Sequence, residues 1–297
     1  MARLFQAYVM VDWSAAAKPA TGADSIWIGV LKRNVRFQMA FESHNPATRA
    51  EAEKLLNGLL EELRRKSERV LLGFDFPLGF PKGTAAALKL EGAPWRALID
   101  YVAADMKDKP DNSNNRFQVG AKMNRLMTGE AFPFWGAPAR DAQTMLSVKR
   151  PREHGADDLP EFRMAEQACK AASSIWKLYY QGSVGGQALT GLPVVRRLRD
   201  ARAEAARLWP FETGWRPLAP FDLDGVDVVF AEIYPSMLGV KPKPGETKDE
   251  AQVRAVVEHF NALDEKGQLA GLFGPAKADA RSDIVENEEG WILGAKA

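Results

Sequence analysis

The chain has 297 residues, 46% of them hydrophobic and 27% charged, with a formal net charge of +1. Those proportions belong to an ordinary globular protein, and the near-neutral balance argues against a broad cationic surface that coats nucleic acid. One cysteine, Cys169, excludes an internal disulfide framework and a cysteine-rich zinc site.

No apolar run reaches the ~18 residues of a membrane span. The first residues run straight into an apolar segment, without the charged, apolar and small-residue regions of a signal peptide. The expected location is cytoplasmic, with no membrane association.

Residues 4–12 read as a strand, an apolar run with β-branched and aromatic members. Residues 24–33 read as a second strand, Asn34 as a turn, and 35–43 as a third strand with alternating polarity, together an antiparallel meander. Asn45-Pro46 is a favourable helix start, and Leu55, Leu56, Leu59, Leu60 and Leu63 carry helical spacing to about residue 66. Residues 69–76 form a near-continuous apolar strand of the kind buried between parallel neighbours. Three strands, a helix and a buried strand open a ribonuclease H-like fold, whereas an ordinary doubly wound fold alternates strand and helix from the start.

Residues 94–106 read as a helix, 107–160 as an irregular insertion, and 161–180 as a helix. The Gly-rich 182–191 reads as a loop before a helix from Pro193 to about Leu208. A late buried strand follows at 226–234, then helices at 248–266 and 279–295. The expected architecture is α/β: one ribonuclease H-like domain over 1–297, with a mixed five-stranded sheet, flanking helices and the mid-chain insertion.

Asp12, Asp75 and Glu232 each end an apolar strand, where a carboxylate is costly unless paired, solvated or bound to metal. Together they suggest an acidic pocket at the carboxyl ends of the strands, where open α/β sheets bind ligands. Asp283, Glu286 and Glu289 recur at three-residue spacing along one side of the last helix. Oxygen ligands of this kind suit Mg²⁺ or Mn²⁺, and two ions about 4 Å apart activate water and stabilise a leaving oxygen in phosphoryl displacement. The bland alternatives are a helix cap or turn for Asp12, a turn for Asp75 and a solvated helix face for the last acids.

Val-Asp-Trp-Ser-Ala-Ala (11–16), Phe-Asp-Phe-Pro-Leu-Gly-Phe-Pro (74–81) and Phe-Arg-Met-Ala-Glu (162–166) carry a resemblance. It continues in Gly-Ser-Val-Gly-Gly-Gln-Ala-Leu-Thr-Gly-Leu-Pro (182–193), Trp-Pro-Phe-Glu (209–212) and Ala-Glu-Ile-Tyr-Pro (231–235). The chain resembles the family grouped as domain of unknown function 429, inferred from fold to be ribonuclease H-like nucleases. The resemblance implies catalytic, metal-ligating acids at Asp12, Asp75 and Glu232. In the last helix, where the family carries Asp-Ala-x-x-Asp-Ala, register matches Glu289 to the final acid and Glu286 to the one before it. The longer Glu side chains depart from that pattern.

Candidate substrate contacts are Ser14 at a strand exit, Arg163 and Lys177 on the 161–180 segment, and Ser183 and Gln187 in the Gly-rich loop, which is a possible anion cradle. Arg163 and Glu166 also have the spacing of an ordinary helix ion pair, and Trp13, Tyr179 and Tyr180 are either base-stacking or packing aromatics. His44, His154 and His259 show no metal spacing. The expected function is a metal-dependent nuclease or phosphodiesterase with Mg or Mn as cofactor, a nucleic acid or nucleotide as substrate, and Asp12, Asp75, Glu232 and Glu289 as its catalytic acids. Two alternatives remain: a non-catalytic nucleic-acid or nucleotide-binding module on the same fold, and an actin-like-scaffold ATPase. The Trp-Ser-Ala-Ala-Ala after the first strand argues against the ATPase, which needs a Gly-rich phosphate loop there.

Overall fold

Six strands form one mixed sheet in the order β3-β2-β1-β4-β6-β5. The computed structural model describes residues 3–169 and 172–296. β1 (Ala7–Asp12), β2 (Trp27–Arg33) and β3 (Met39–His44) are the expected antiparallel meander. β4 (Val70–Phe74) and β6 (Val228–Glu232) run parallel to β1, and every residue of both is buried, as their continuous apolar runs require.

Helices cover both faces. Successive strand side chains alternate between faces, so Val9, Val11, Leu72, Phe74 and Phe230 enter one core with Leu56 and Leu60 of α1 (Arg49–Arg65). Tyr8, Met10, Leu71, Val229 and Ala231 enter the other. On the first side α1 is joined by a set of later helices. They are the short α2 (Thr84–Ala87), α3 (Pro94–Asp105), α4 (Arg116–Met127) and, after the five-residue α5 (Met164–Ala168), α6 (Gly185–Asp200). On the second side α7 (Lys248–Glu265) packs Val253, Val257 and Phe260 against β1 and β2. Among the described residues no helix is long and apolar enough to cross a membrane.

Several expected elements shift. The sheet has six strands rather than five, because Ala206–Leu208, read as the tail of a helix, pairs with β6 as the edge strand β5. The Gly-rich 182–191 is largely helix: α6 begins at Gly185 and carries Pro193 inside it. These glycines serve close packing. A Cβ on Gly191 would stand 2.2 Å from the Phe76 ring. The 107–160 insertion contains α4, and the expected helix at 161–180 reduces to α5, with residues 170 and 171 outside the described part.

The expected helix at 279–295 is a short turn, α8 (Ser282–Ile284), running into a π-helical turn at Val285–Glu289. Gly290 at φ +69° ends it, and Trp291, Ile292 and Leu293 are all buried, a run that no one-faced helix accommodates.

Candidate functional site

β1 and β4 lie side by side and parallel, with Val11 opposite Phe74. The next residue on each strand path is an aspartate, so register alone brings Asp12 and Asp75 together. The two carboxyls are close enough that each shifts the other's titration. The Trp13 N–H donates to Asp75 Oδ1 at 2.7 Å, and the Asp75 N–H donates to Val11 O at 3.2 Å. Burial raises the Asp12 carboxyl well above the usual range, and the charge of Asp75 raises it further. Burial likewise pushes Asp75 up to about 7, against the pull of the Trp13 amide.

A third acid acts on this pair through its charge alone. Asp249 lies in the first turn of α7, whose N-terminus Thr247 caps by accepting from the Glu250 N–H. Its negative charge contributes to raising both Asp12 and Asp75, and its Oδ2 accepts from the Asp24 N–H at 2.8 Å. Sequence reading missed Asp249 because an acid in the first turn of a helix is already explained by the helix dipole.

Asp12 opens onto a pocket of about 510 Å³ whose walls include Ser14, Asp24, Arg116, Ser183, Gln187 and Asp249. Ser14, Ser183 and Gln187, expected as substrate contacts, all line this pocket. The Ser14 hydroxyl accepts from the Ala16 N–H at 3.3 Å, and Gln187 Nε2 donates to Trp13 O at 2.5 Å, tying α6 to the strand exit. Trp13 is core: its ring is buried against Phe74 and Phe76, and its Nε1 donates to Thr190 Oγ1 at 3.2 Å. Tyr179 and Tyr180 line the pocket and are half-exposed.

The remaining expected site residues lie elsewhere. Glu232 sits in register with Val11 and Phe74, so strand alternation turns it toward the layer opposite to Asp12. There Arg163, fully buried, takes both Glu232 oxygens, at 2.8 and 2.6 Å, and pairs with Glu166. Burial pushes the Glu232 carboxyl up to about 7 while Arg163 pulls it back. Glu289 accepts from the Lys82 and Met164 amides at 2.9 and 2.7 Å, and Glu286 from the Trp215 amide at 2.8 Å. Asp283 takes the Asn287 side chain. Lys177 donates to Gln181 O at 2.6 Å and lies outside the pocket wall.

The expected single ring of acids is therefore two separate groups. Glu232 and Glu289 surround Arg163 and backbone amides, and Arg163 faces them rather than the pocket. The 285–289 turn is held against the loop after β4, where Gly79 is obligatory: a Cβ there would come within 2.3 Å of Glu288 O and 2.5 Å of Glu289 O. Among the described residues, no group of three or more His, Cys, Asp and Glu side chains is gathered to hold a metal. In comparisons with protein-family models, curated proteins and solved structures, nothing matches this chain.

Proposed function

We propose that this protein is a metal-dependent phosphodiesterase built on a ribonuclease H-like sheet, with Asp12 and Asp75 holding Mg²⁺ or Mn²⁺. The observation that carries this reading is the carboxyl pair itself. Two partly buried acids meet at the carboxyl ends of adjacent parallel strands, both are pushed up in pKa, and one opens on a sizeable pocket. Such a pair is destabilised when both members ionise, and a cation between them reverses that penalty.

The donor set suits a hard divalent ion. It offers carboxylate oxygens alone, and Mg²⁺ typically takes one or two carboxylates, with waters and substrate oxygens completing the shell. When bound, such an ion supplies charge neutralisation at a phosphoryl oxygen and makes water more acidic. Asp12 and Asp75 hold its position. Asp249 deepens the negative potential from the α7 side, and the Trp13 amide fixes one oxygen of Asp75. Gln187 fixes the Trp13–Ser14 turn, so the pocket wall stays in register with the acids.

Topology supports the fold part of the reading. A three-strand antiparallel meander, followed by strands parallel to β1 on its other side, is compatible with a ribonuclease H-like order in which β5 is an added edge. The resemblance to the domain of unknown function 429 family fits as well, since its 11–16 and 74–81 motifs are the two that bear the acid pair.

The test is a thermal melt of EDTA-treated protein titrated with Mn²⁺ and Mg²⁺, followed by hydrolysis of single-stranded and structured DNA and RNA. The melting temperature is expected to rise with metal in the wild type and not in Asp12→Asn, with hydrolysis lost in the same variant. A wild type that ignores both ions and cleaves none of the substrates refutes the proposal.

A further inference from the structure

The pocket that receives Asp12 also receives a buried cation that forms no ion pair among the described residues. Arg116, at the start of α4, is only 6% exposed. Its Nε is buried without a hydrogen-bond partner, and among the described residues no carboxylate stands within ion-pair distance of its guanidinium. What it has is one neutral acceptor, Asn114 Oδ1 at 3.0 Å from Nη1, and the Phe117 ring 4.2 Å beneath it. Burial and the neighbouring charge of Arg49 push it down to about 10, against the more distant pull of Asp141 and Asp108, so it remains a cation at neutral pH. A buried charge without a carboxylate in direct contact is among the costlier features a fold can keep.

The start of α6 lies against the same guanidinium. A Cβ on Gly186 would stand 3.3 Å from Arg116 Nε and 2.7 Å from Leu178 O, so glycine is what lets the helix start and the guanidinium approach each other. No side chain caps this sixteen-residue helix. Its Gly185 amide is used by Lys177 O, while the first-turn amides of Gly186 and Gln187 have no acceptor within the helix. Ser183 and Gln187, flanking that turn, line the pocket together with Arg116.

The geometry points to a phosphate-binding subsite formed by Arg116 and the N-terminus of α6, in the pocket that holds Asp12. A guanidinium fork and free helix amides both select a tetrahedral oxyanion with several acceptor oxygens. The substrate class is thus a phosphate ester, anchored at this subsite by one phosphate group. The assignment rests on the phosphodiesterase reading only for the identity of the reacting bond; the anion subsite stands on its own residues.

The experiment is calorimetric titration of the full-length, EDTA-treated protein with inorganic phosphate at fixed ionic strength, with sodium acetate as the control anion. Phosphate is expected to bind and acetate not to. Arg116→Gln should weaken phosphate by roughly 10- to 100-fold, the cost of losing charge-assisted hydrogen bonds, and Arg116→Lys should retain part of the affinity. Asp12→Asn should bind phosphate at least as tightly as the wild type, because a like charge is gone. Should Arg116→Gln fail to fold, as judged by near-ultraviolet circular dichroism, Ser183→Ala replaces it, with an expected loss of about 3- to 10-fold. Equal phosphate affinity in the wild type and Arg116→Gln, or in the wild type and Ser183→Ala where that replaces it, or an equal response to acetate, overturns the subsite. Mn²⁺ binding is measured alongside. Phosphate binding without a Mn²⁺ response keeps the subsite and removes the metal reading, and a Mn²⁺ response without phosphate binding does the reverse.

Discussion

Asp12 and Asp75, sixty-odd residues apart in the chain, stand side by side because β1 and β4 run parallel in register and each strand path turns acidic one residue after its last apolar pair. That contact has consequences for stability as well as for ligand binding.

The first concerns pH. An Asp in the unfolded chain titrates near 3.9, whereas Asp75 in the folded protein is held at about 7 by burial. The folded state therefore binds more protons than the unfolded state between about pH 4 and pH 7, and stability attributable to this group falls as pH rises through that window. It is fully present only below about pH 4. Relative to Asp75→Asn, the metal-free wild type should lose on the order of 2–4 kcal/mol across the window. Urea denaturation of both proteins at pH 4.5 and 7.5 checks this, and a constant difference between them contradicts it.

The Arg163 cluster should behave as structure. Arg163 is fully buried and holds both oxygens of Glu232, so Arg163→Met leaves two buried acids without their cation and should cost about 3–5 kcal/mol. The Mn²⁺-induced rise in melting temperature should survive in Glu232→Gln. If that variant abolishes the metal response, Glu232 belongs to the metal site after all.

Asp249 should matter to the metal in spite of its place on a helix cap turn. Its charge reaches both members of the pair, so Asp249→Asn is expected to weaken Mn²⁺ by about 10- to 100-fold, the range found for groups that support metal ligands. Stability should change little, since the loss of a favourable helix-dipole charge, about 0.3–1 kcal/mol, is opposed by relief of repulsion. Isothermal titration with Mn²⁺ measures the first part, and unaltered affinity refutes it.

Gly79 provides a purely steric prediction. A methyl group there meets two carbonyl oxygens of the 285–289 turn at under 3 Å, so Gly79→Ala should destabilise by about 1–3 kcal/mol. A urea midpoint equal to the wild type would mean that the last acidic turn does not lie against the loop after β4.

How much of this was legible from sequence follows from what each signal encodes. Asp12 and Asp75 were readable because an apolar run that ends in a carboxylate marks both the strand and its exit. The same signal misled at Glu232: it reports that an acid ends a strand, while the face it occupies depends on register with neighbours, and Glu232 shares the row of Phe74 instead of that of Asp75. Glu286 and Glu289 have helical spacing, yet their oxygens go to backbone amides of distant segments, which no local pattern reveals. Gly185, Gly186 and Gly191 look like a loop until their close neighbours in space are known. Arg116 lay inside a stretch whose Asn, Pro and Gly content hid the helix it begins.

The most direct measurement of the central claim is anomalous diffraction from crystals soaked in Mn²⁺. A peak is expected at the carboxylates of Asp12 and Asp75, absent from crystals of Asp12→Asn grown and soaked alike. No peak at that pair, or one among Glu232, Glu286 and Glu289, would contradict it.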